Sequence, residues 1–445
     1  MRTSIATLSL ALAFGGSLQG QEARPVTFAS AVEIALERNT TLKQSENALA
    51  ADAVSVRQAK LDFLPDLRLS VSGGQTFGRT FDQNEGAIVD QIARSASSGV
   101  STSVTLFDGM SGLASLRQAT RNRDAGRLEL DRVRQSVVFT VASNFLALIE
   151  QREQRRVQTE SLASAEALEA QIAEYVEAGT RTVADLYQQQ ASVASARYDV
   201  VTSEGAVALA EVDLVQTLQL DPVGSYDFEA PPLGDDSVAD ELEPLATLLE
   251  RALALRSDLA AREALLSAAE QGVKVSSASR WPTVALTAGY NSAYSSLGAS
   301  SFAQQLDERR GGSISLGVSI PLYDKGRTSA ATEQARLAAE NADLAIQDAR
   351  QAIGTQVARA YQDHRSAGAQ LSAAAAGAEA AALALGAAEE RYQVGAATLV
   401  EVTQARSAQV QAAAKLVSAR YAVVFHRLLL RYYVGDLDAA DVTLG

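Results

Sequence analysis

The side chains that most often carry out catalysis are scarce in this sequence. His364 and His426 are its only histidines, and neither has an acid and a serine in triad order or a second ligand at metal-binding spacing. The chain has no cysteine, which excludes disulfides, thiolate metal sites and cysteine nucleophiles. It also lacks a phosphate-binding glycine loop. The sequence therefore predicts no catalytic, cofactor-binding or metal-binding residue, and a protein that is not an enzyme.

Acidic residues instead recur at matched places in two similar segments. Asp185 closes the run Thr182-Val183-Ala184-Asp185, and Glu401 closes Thr398-Leu399-Val400-Glu401, 216 residues later. Each run follows a glycine, Gly179 or Gly395, of the kind that ends a helix. A carboxylate in the first turn of a helix complements the helix dipole, which by itself explains both acids.

These segments belong to a repeat that covers most of the chain. Leu64-Pro65-Asp66-Leu67 is answered by Trp281-Pro282-Thr283-Val284, and Leu106-Phe107-Asp108-Gly109 by Leu322-Tyr323-Asp324-Lys325-Gly326. The two prolines are 217 residues apart, whereas later positions are 216 apart. The ordered recurrence indicates an internal structural duplication.

Composition narrows the class of protein further. The chain has 445 residues, only 8 prolines and a formal net charge of -14. Long stretches rich in alanine and without proline favour uninterrupted helices. The negative charge repels nucleic acid, so no nucleic-acid partner is expected.

The N-terminus resembles a secretory signal peptide over residues 1–20, with an apolar stretch from Ile5 to Phe14. A buried N-terminal helix is the alternative. After this segment we expect no stretch with the roughly 18 to 20 apolar residues that a helical span requires. If the protein enters a membrane, it is therefore expected to do so as strands.

Four segments alternate between apolar and small hydroxylic residues with period two, at about 66–78, 98–107, 283–294 and 312–323. The pattern suits strands of a membrane barrel with a wet lumen and an aromatic girdle against outer-membrane lipid. It also suits a small soluble sheet with one face on a core. Four strands are too few to close a barrel around water, so the membrane interpretation requires an oligomer. The segments Arg79–Ser97 and Ser295–Gly311 are expected to be exposed loops.

Long helices are predicted after each pair of strands. Their expected bounds are 111–177 and 183–219 in a first repeat, 21–222, and 326–393 and 398–433 in a second, 245–436. Shorter helices, about 27–62 and 245–278, precede the strands, residues 223–244 form a linker, and 437–445 form a tail. Apolar residues return every seventh position along the helices, which is coiled-coil spacing. A helix of about 65 residues extends about 100 Å, which no compact domain accommodates.

On these repeated motifs, above all Arg391-Tyr392-Gln393-Val394-Gly395 leading to Thr398–Val402, the chain resembles the TolC family of outer-membrane efflux proteins. The resemblance implies a mainly α fold with membrane β: a homotrimer in which each chain adds four strands to a 12-stranded outer-membrane barrel and helices to a long periplasmic tunnel. It also implies a periplasmic membrane-fusion adaptor and an inner-membrane pump as partners, in an efflux or type I secretion system that exports small toxic compounds or proteins.

The same resemblance assigns roles at the periplasmic end of the tunnel. Asp185 and Glu401 take the acidic aperture positions, and Gln188 and Gln404 stand where some relatives carry a second acid, which implies a weaker constriction. The turns that would contact the adaptor contain Gly179, Thr180, Arg181, Gly395, Ala396 and Ala397. Tyr175 and Tyr392 precede the turns and either pack there or bridge neighbouring helices, and Arg181 is expected to reach a carboxylate. The alternative function is a soluble periplasmic coiled-coil adaptor or scaffold.

Overall fold

The computed structural model describes residues 24–82, 86–229, 242–298 and 300–437. The predicted signal peptide, most of the predicted tail and the middle of the predicted linker lie outside these residues. In chain order, the elements are β1 (Arg24–Thr27), α1 (Phe28–Arg38), α2 (Thr40–Leu61), β2 (Arg68–Asp82), β3 (Ala87–Phe107), α3 (Ser111–Glu177), α4 (Val183–Thr217), β4 (Tyr226–Glu229), α5 (Leu245–Leu255), α6 (Ser257–Ala278), β5 (Thr283–Ser295), α7 (Phe302–Glu308), β6 (Gly311–Ser319), α8 (Arg327–Gln393) and α9 (Leu399–Val434).

Two helices of 67 residues, α3 and α8, run the full length of the helical part. The shorter helices line up beside them, so that neighbours in one half follow the order α2-α3-α6-α8 and in the other half α4-α3-α9-α8. The heptad positions Val193, Val207 and Leu214 of α4 are buried, as coiled-coil spacing predicts. In both halves α8 forms one open edge of the row, and α2 and α4 form the other.

The helices that precede the strands are broken, contrary to the expectation of single helices over 27–62 and 245–278. Asn39 separates α1 from α2, and its side-chain oxygen accepts a hydrogen bond from the Leu42 amide at 3.1 Å. Arg256, 217 residues later, separates α5 from α6, and its guanidinium donates to Asp258 and to Gln356 Oε1. Both breaks give the chain a corner that a continuous periodicity does not reveal.

An aspartate in each strand-exit motif begins the following long helix. Asp108 Oδ2 accepts from the Gly112 amide at 2.7 Å, and Asp324 Oδ2 accepts from the Thr328 amide at 2.8 Å. These bonds satisfy amides that the first turn of a helix leaves free. Hydrogen bonds from the Thr328 hydroxyl and amide lower the pKa of Asp324. The recurrence of Asp in the two motifs thus has a local structural cause.

The four longer strands form one antiparallel sheet in the order β2-β3-β5-β6. Its register places Val100 opposite both Leu69 and Tyr290, and Ala288 opposite Ile314, so the apolar residues share one face. That face is not covered by the rest of the chain, since Leu69 is 73% exposed and Ile314 is 80% exposed. A small soluble sheet resting on its own core would bury these residues, so this alternative does not fit the chain.

The loop predicted at Arg79–Ser97 is wrong. β2 extends to Asp82 and β3 begins at Ala87, and the two strands stay paired over this segment, with Phe77 opposite Ile92 and Phe81 opposite Ile88. Along one face of these two strands, apolar cross-strand pairs alternate with polar cross-strand pairs. The period of two is therefore not evident in the sequence. The expected loop 295–311 contains helix α7, and the strand expected at 312–323 ends at Ser319.

A short parallel pair, β1 with β4, was not predicted and joins the start of the first copy to the connector after α4. It borders the largest core cluster, where Phe145 of α3 is fully buried between Phe28 and Phe228, with ring centroids 5.5 and 6.3 Å away. Four-residue strands carry too little period to be recognised in a sequence. This cluster fixes the middle of α3 against both ends of the first copy.

The expectation that no helix is apolar enough to span a bilayer is wrong for α8. Among the described residues, α8 alone passes by length and composition, with a mean hydropathy of 1.5 over 18 residues, none of them buried in the protomer. Alanine and glycine dominate its segment 373–388. Small side chains make a helix surface that a neighbouring helix can approach closely.

We expect Phe145→Ala to lower the free energy of unfolding by about 3 to 5 kcal/mol, because it empties the space between two aromatic rings in a buried core. The measurement is the denaturant midpoint of the helical circular dichroism signal. Val223→Ala, at a site that is 90% exposed, is the control and should change stability by less than about 0.5 kcal/mol. Equal shifts for the two variants would show that the cluster does not stabilise the fold.

Candidate functional site: the two helical turns

The turn between α3 and α4 has the geometry of a glycine-ended helix. Gly179 has a φ of +73°, a conformation that favours glycine. The Thr180 amide donates to the Tyr175 carbonyl at 2.9 Å, and the Thr180 hydroxyl donates to the same oxygen at 3.0 Å. Both bonds satisfy one carbonyl at the end of α3 that the helix itself leaves free.

The turn between α8 and α9 repeats this geometry. Gly395 has a φ of +77°, and the Ala396 amide donates to the Arg391 carbonyl at 2.8 Å. Arg391 adds a bond that the first turn lacks, from its guanidinium to the Ala396 carbonyl at 3.0 Å. Ala397 is buried, whereas its counterpart Arg181 is half-buried and extends to the other turn.

Both candidate aperture acids close a capping box at the start of a helix. The Asp185 amide donates to Thr182 Oγ1 at 3.2 Å, while Asp185 Oδ2 accepts from the Thr182 hydroxyl at 2.9 Å. Thr398 and Glu401 repeat the arrangement at 3.3 and 3.2 Å. Capping therefore accounts for part of the role of each carboxylate, as the helix-dipole interpretation predicts.

The two acids differ in their other neighbours. Glu401 Oε2 lies 3.4 Å from Arg391 Nη2, so an arginine of the same copy partly neutralises it. Among the described residues no ion pair involves Asp185. Both side chains are half-buried, and Gln188 and Gln404, one turn further along, are exposed.

Arg181 joins the two turns within one protomer. Its Nη2 donates to the Tyr392 carbonyl at 2.6 Å, and its guanidinium carbon lies 4.1 Å from the centre of the Tyr392 ring. The expectation that Arg181 reaches a carboxylate is thus wrong, because the carbonyls that end α8 lie within its reach. A cation at the C-terminal end of a helix also complements the helix dipole.

Tyr392 packs in a buried cluster, which is one of the two roles predicted for it. It also receives the contact that Arg181 makes from the other turn. It is 2% exposed within a cluster that includes Ile172, Leu399 and Val402. Burial raises the pKa of Tyr392, and the Arg181 charge opposes that rise. Tyr175, which stands in the first turn where the second has Arg391, is half-buried, and its hydroxyl accepts from Gln171 at 3.1 Å.

A second hydrogen-bonded contact between the two repeats of the chain was not predicted from the sequence. Arg406 Nη1 donates to the Ser164 carbonyl of α3 at 3.1 Å, and Nη2 pairs with Glu389 of α8 at 2.6 Å. Arg406 is mostly buried, at 12% exposure of its side chain. A heptad pattern locates helix seams, but it does not indicate an arginine that bonds to a backbone carbonyl of another helix.

Comparison with known proteins gives consistent matches over most of the chain. The family model described as outer membrane efflux protein matches residues 31–218 and 248–436. Protein CyaE of Bordetella pertussis is 30% identical over 93% of this chain and 84% of its own length. The pyoverdine export outer membrane protein OpmQ of Pseudomonas putida is 27% identical over 83% of this chain and 79% of its own. The structure of VceC from Vibrio cholerae superposes with a TM-score of 0.78 at 18% identity, covering 92% and 96% of the two chains.

We expect Arg181→Ala to loosen the second turn, because the Tyr392 carbonyl loses a charged donor and its ring loses a cation. Hydrogen exchange of the amides of residues 393–398 should become about tenfold faster, the effect of a charge-assisted hydrogen bond of about 1.5 kcal/mol. Arg197→Ala is the control, since it removes an arginine whose ion pair, with Glu166, stays within the first copy. Equal exchange in both variants would contradict the bridge.

Proposed function

Because this chain belongs to the outer membrane efflux protein family, we propose that three copies of it form a passive conduit from the periplasm to the exterior. Membership confirms the resemblance to the TolC family, the internal duplication and the location in the outer membrane with a large periplasmic part. It also favours a channel over the soluble adaptor alternative.

The observation that carries this proposal concerns the open edges of the protomer. The sheet and the row of helices each have two open edges, and in both the first repeat is at one edge and the second repeat at the other. The sheet ends at β2 on the side of the first copy and at β6 on the side of the second. The helical row ends at α2 and α4 on the first side and at α8 on the second. Protomers that pair β6 of one with β2 of the next therefore also bring α8 of one against α2 and α4 of the next. This supports a ring that is closed both in the sheet and in the helices.

Three is the number of copies that the resemblance to the TolC family implies. Four strands cannot surround a water-filled space, whereas three chains contribute twelve strands, and barrel diameter grows with strand number. In such a barrel the exposed apolar face of the sheet contacts lipid and the hydroxylic face lines the lumen. The seam between protomers has side chains of complementary size. Helix α4 exposes Tyr198, Val201 and Leu209, whereas most side chains in segment 373–388 of α8 are small.

The turns give the conduit its periplasmic end in this proposal. The segments Gly179–Arg181 and Gly395–Ala397 would contact a membrane-fusion adaptor, which in turn connects the tunnel to an inner-membrane pump. The energy for export of small toxic compounds or proteins then comes from that pump, and the chain itself carries out no reaction.

Asp185 and Glu401 from three chains would place six carboxylates around the opening, which favours cations. The neighbouring arginines Arg181 and Arg391 reduce the local negative charge, and Gln188 and Gln404 add none. A weak acidic constriction is therefore proposed, in which the Arg181 bridge, rather than acid alone, holds each protomer's two turns together.

The seam can be tested cleanly because the natural chain has no cysteine. Tyr198 and Ala380 each lie about 25 Å along their helices from the turns, so they are at similar heights on the two edges. We expect Tyr198→Cys combined with Ala376→Cys, Ala380→Cys or Leu383→Cys to give covalent trimers on oxidation in at least one combination. Each single variant is its control and should give none. Absence of cross-links between chains in all three combinations would contradict the seam.

Ion conductance of the purified, detergent-extracted protein in a planar bilayer tests the channel and its aperture together. Asp185→Asn with Glu401→Gln keeps the side-chain shapes and removes two charges per chain, so cation selectivity should fall. Asp199→Asn with Glu204→Gln, at about 20 and about 30 Å along α4 from Asp185, is the matched control and should change selectivity less. Equal selectivity in all three proteins would keep the channel and reject the aperture assignment, whereas absence of pores in the wild type would reject the channel.

A further inference from the structure

Helix α7 lies on the apolar face of the sheet, at the end of β5 that is distant from the helices. The Ser292 hydroxyl donates to the Leu306 carbonyl at 2.6 Å, and the Tyr294 and Phe302 rings meet edge to face at 4.9 Å. Ser292 and Tyr294 share their face with Val284, Leu286 and Tyr290 because alternate residues of a strand point the same way. In the proposed barrel this is the lipid-facing side.

Buried Gln305 fixes α7 in this position. Its Oε1 accepts from the Ser295 amide at 3.0 Å, and its Nε2 donates to the Ser300 carbonyl at 2.7 Å. The side chain is 2% exposed, and Ser301 begins the helix with a capping box to Gln304. The segment is thus a built structure on the outer face.

Three exposed arginines lie next to this helix, two along the chain and one through the sheet. Arg309 and Arg310 follow α7 directly and are exposed. Arg94 of β3 occupies the next outward position after Ala96, which pairs with Tyr294, and is also exposed. We call Arg94, Arg309 and Arg310, with the rings of Tyr294 and Phe302, the arginine patch. Arg94 lies further from the helices than Tyr294, whereas Arg309 and Arg310 lie at about the height of Ser292, because the next residue, Gly311, pairs with Asn291.

The charge balance of the patch leaves cations available. Asp307 pairs with Arg310 at 2.9 Å, and Glu308 accepts from the Ser300 hydroxyl at 3.1 Å. No ion pair in the described part of the chain involves Arg94 or Arg309. Arg94 and Arg309 are therefore exposed without an ion-pair partner among the described residues, in a protein whose net charge is -14.

We propose that the arginine patch binds the phosphate groups of an anionic glycolipid in the outer leaflet, with Phe302 and Tyr294 against its acyl chains. Tyr294 and Phe302 adjoin the apolar residues of β5, and the charge of the patch is opposite to that of the headgroup. Arginine matches phosphate with parallel hydrogen bonds, and aromatic residues prefer the boundary between hydrocarbon and headgroups. The binding site rests on the barrel of the proposed function, and it adds a partner for the membrane-facing surface.

The experiment measures binding of bisphosphoryl lipid A to the purified full-length protein in detergent, by native mass spectrometry at several lipid concentrations. We expect the wild type to bind bisphosphoryl lipid A more tightly than monophosphoryl lipid A. Arg309→Gln with Arg310→Gln should weaken binding of the bisphosphoryl form by at least about tenfold, since each cation near an anionic surface contributes substantially.

Asp307→Asn is the matched control, because it breaks the same ion pair as Arg310→Gln but keeps both cations, and it should bind at least as tightly as the wild type. Equal binding of the two lipids by the wild type, or equal weakening by Asp307→Asn and by the double arginine variant, would overturn the proposal. The lipid comparison decides the matter even if the double variant does not fold. Conductance of the same preparations separates this outcome from failure of the channel itself.

Discussion

A strand within a bilayer has no water to satisfy its backbone, so its amides and carbonyls must bond to another strand. In a single chain β2 and β6 leave such groups open at both edges of the sheet. In the proposed barrel, the absence of water therefore requires the sheet to close, and closure fixes how the helices must be arranged. Because β3 runs into α3 and β6 into α8 through short connections, a ring of strands brings a ring of helices with it. The open edges of the helical row and its small-residue segment on α8 follow from that requirement.

The duplicated architecture supports two different turns. The glycines, the threonine caps and the acids at the third helical position are alike in both copies, and each serves the local hydrogen bonding of a helix end. The copies differ in two exchanges: Arg181 in the first copy stands for Ala397 in the second, and Tyr175 stands for Arg391. With Arg181 the first turn bonds to the Tyr392 carbonyl of the second inside one protomer, whereas Arg391 bonds within its own turn. Two copies of one fold thus provide a directed contact that two identical copies could not.

Much of the architecture could be predicted from the sequence, for definable reasons. The long helices have no proline and keep their heptads, and the strands 283–294 and 98–107 alternate cleanly, so their periods identify them. The hairpin beyond residue 79 alternates apolar pairs with charged ones, which reads as a polar loop until the cross-strand register is known. Helix α7 and the pair β1 and β4 are shorter than the window that a period requires. At the turns, capping was predictable from Thr, Asp and Glu spacing. The Arg181 bond to a carbonyl was not, because a backbone acceptor has no sequence signature.

The largest core cluster lies at the midpoint of α3, since Phe145 is about as far from Ser111 as from Glu177. Beyond it, toward the turns, α3 contacts only single helices on either side, with no comparable cluster until the one around Tyr392. The cluster therefore holds the helices at one point, and the helical segments between it and the turns are about 50 Å long. Over that length, a tilt of about 6° displaces each turn by about 5 Å. In the proposed trimer, such a tilt would widen the periplasmic mouth while the strands on the other side of the cluster keep their register, so the seal in the membrane would stay intact.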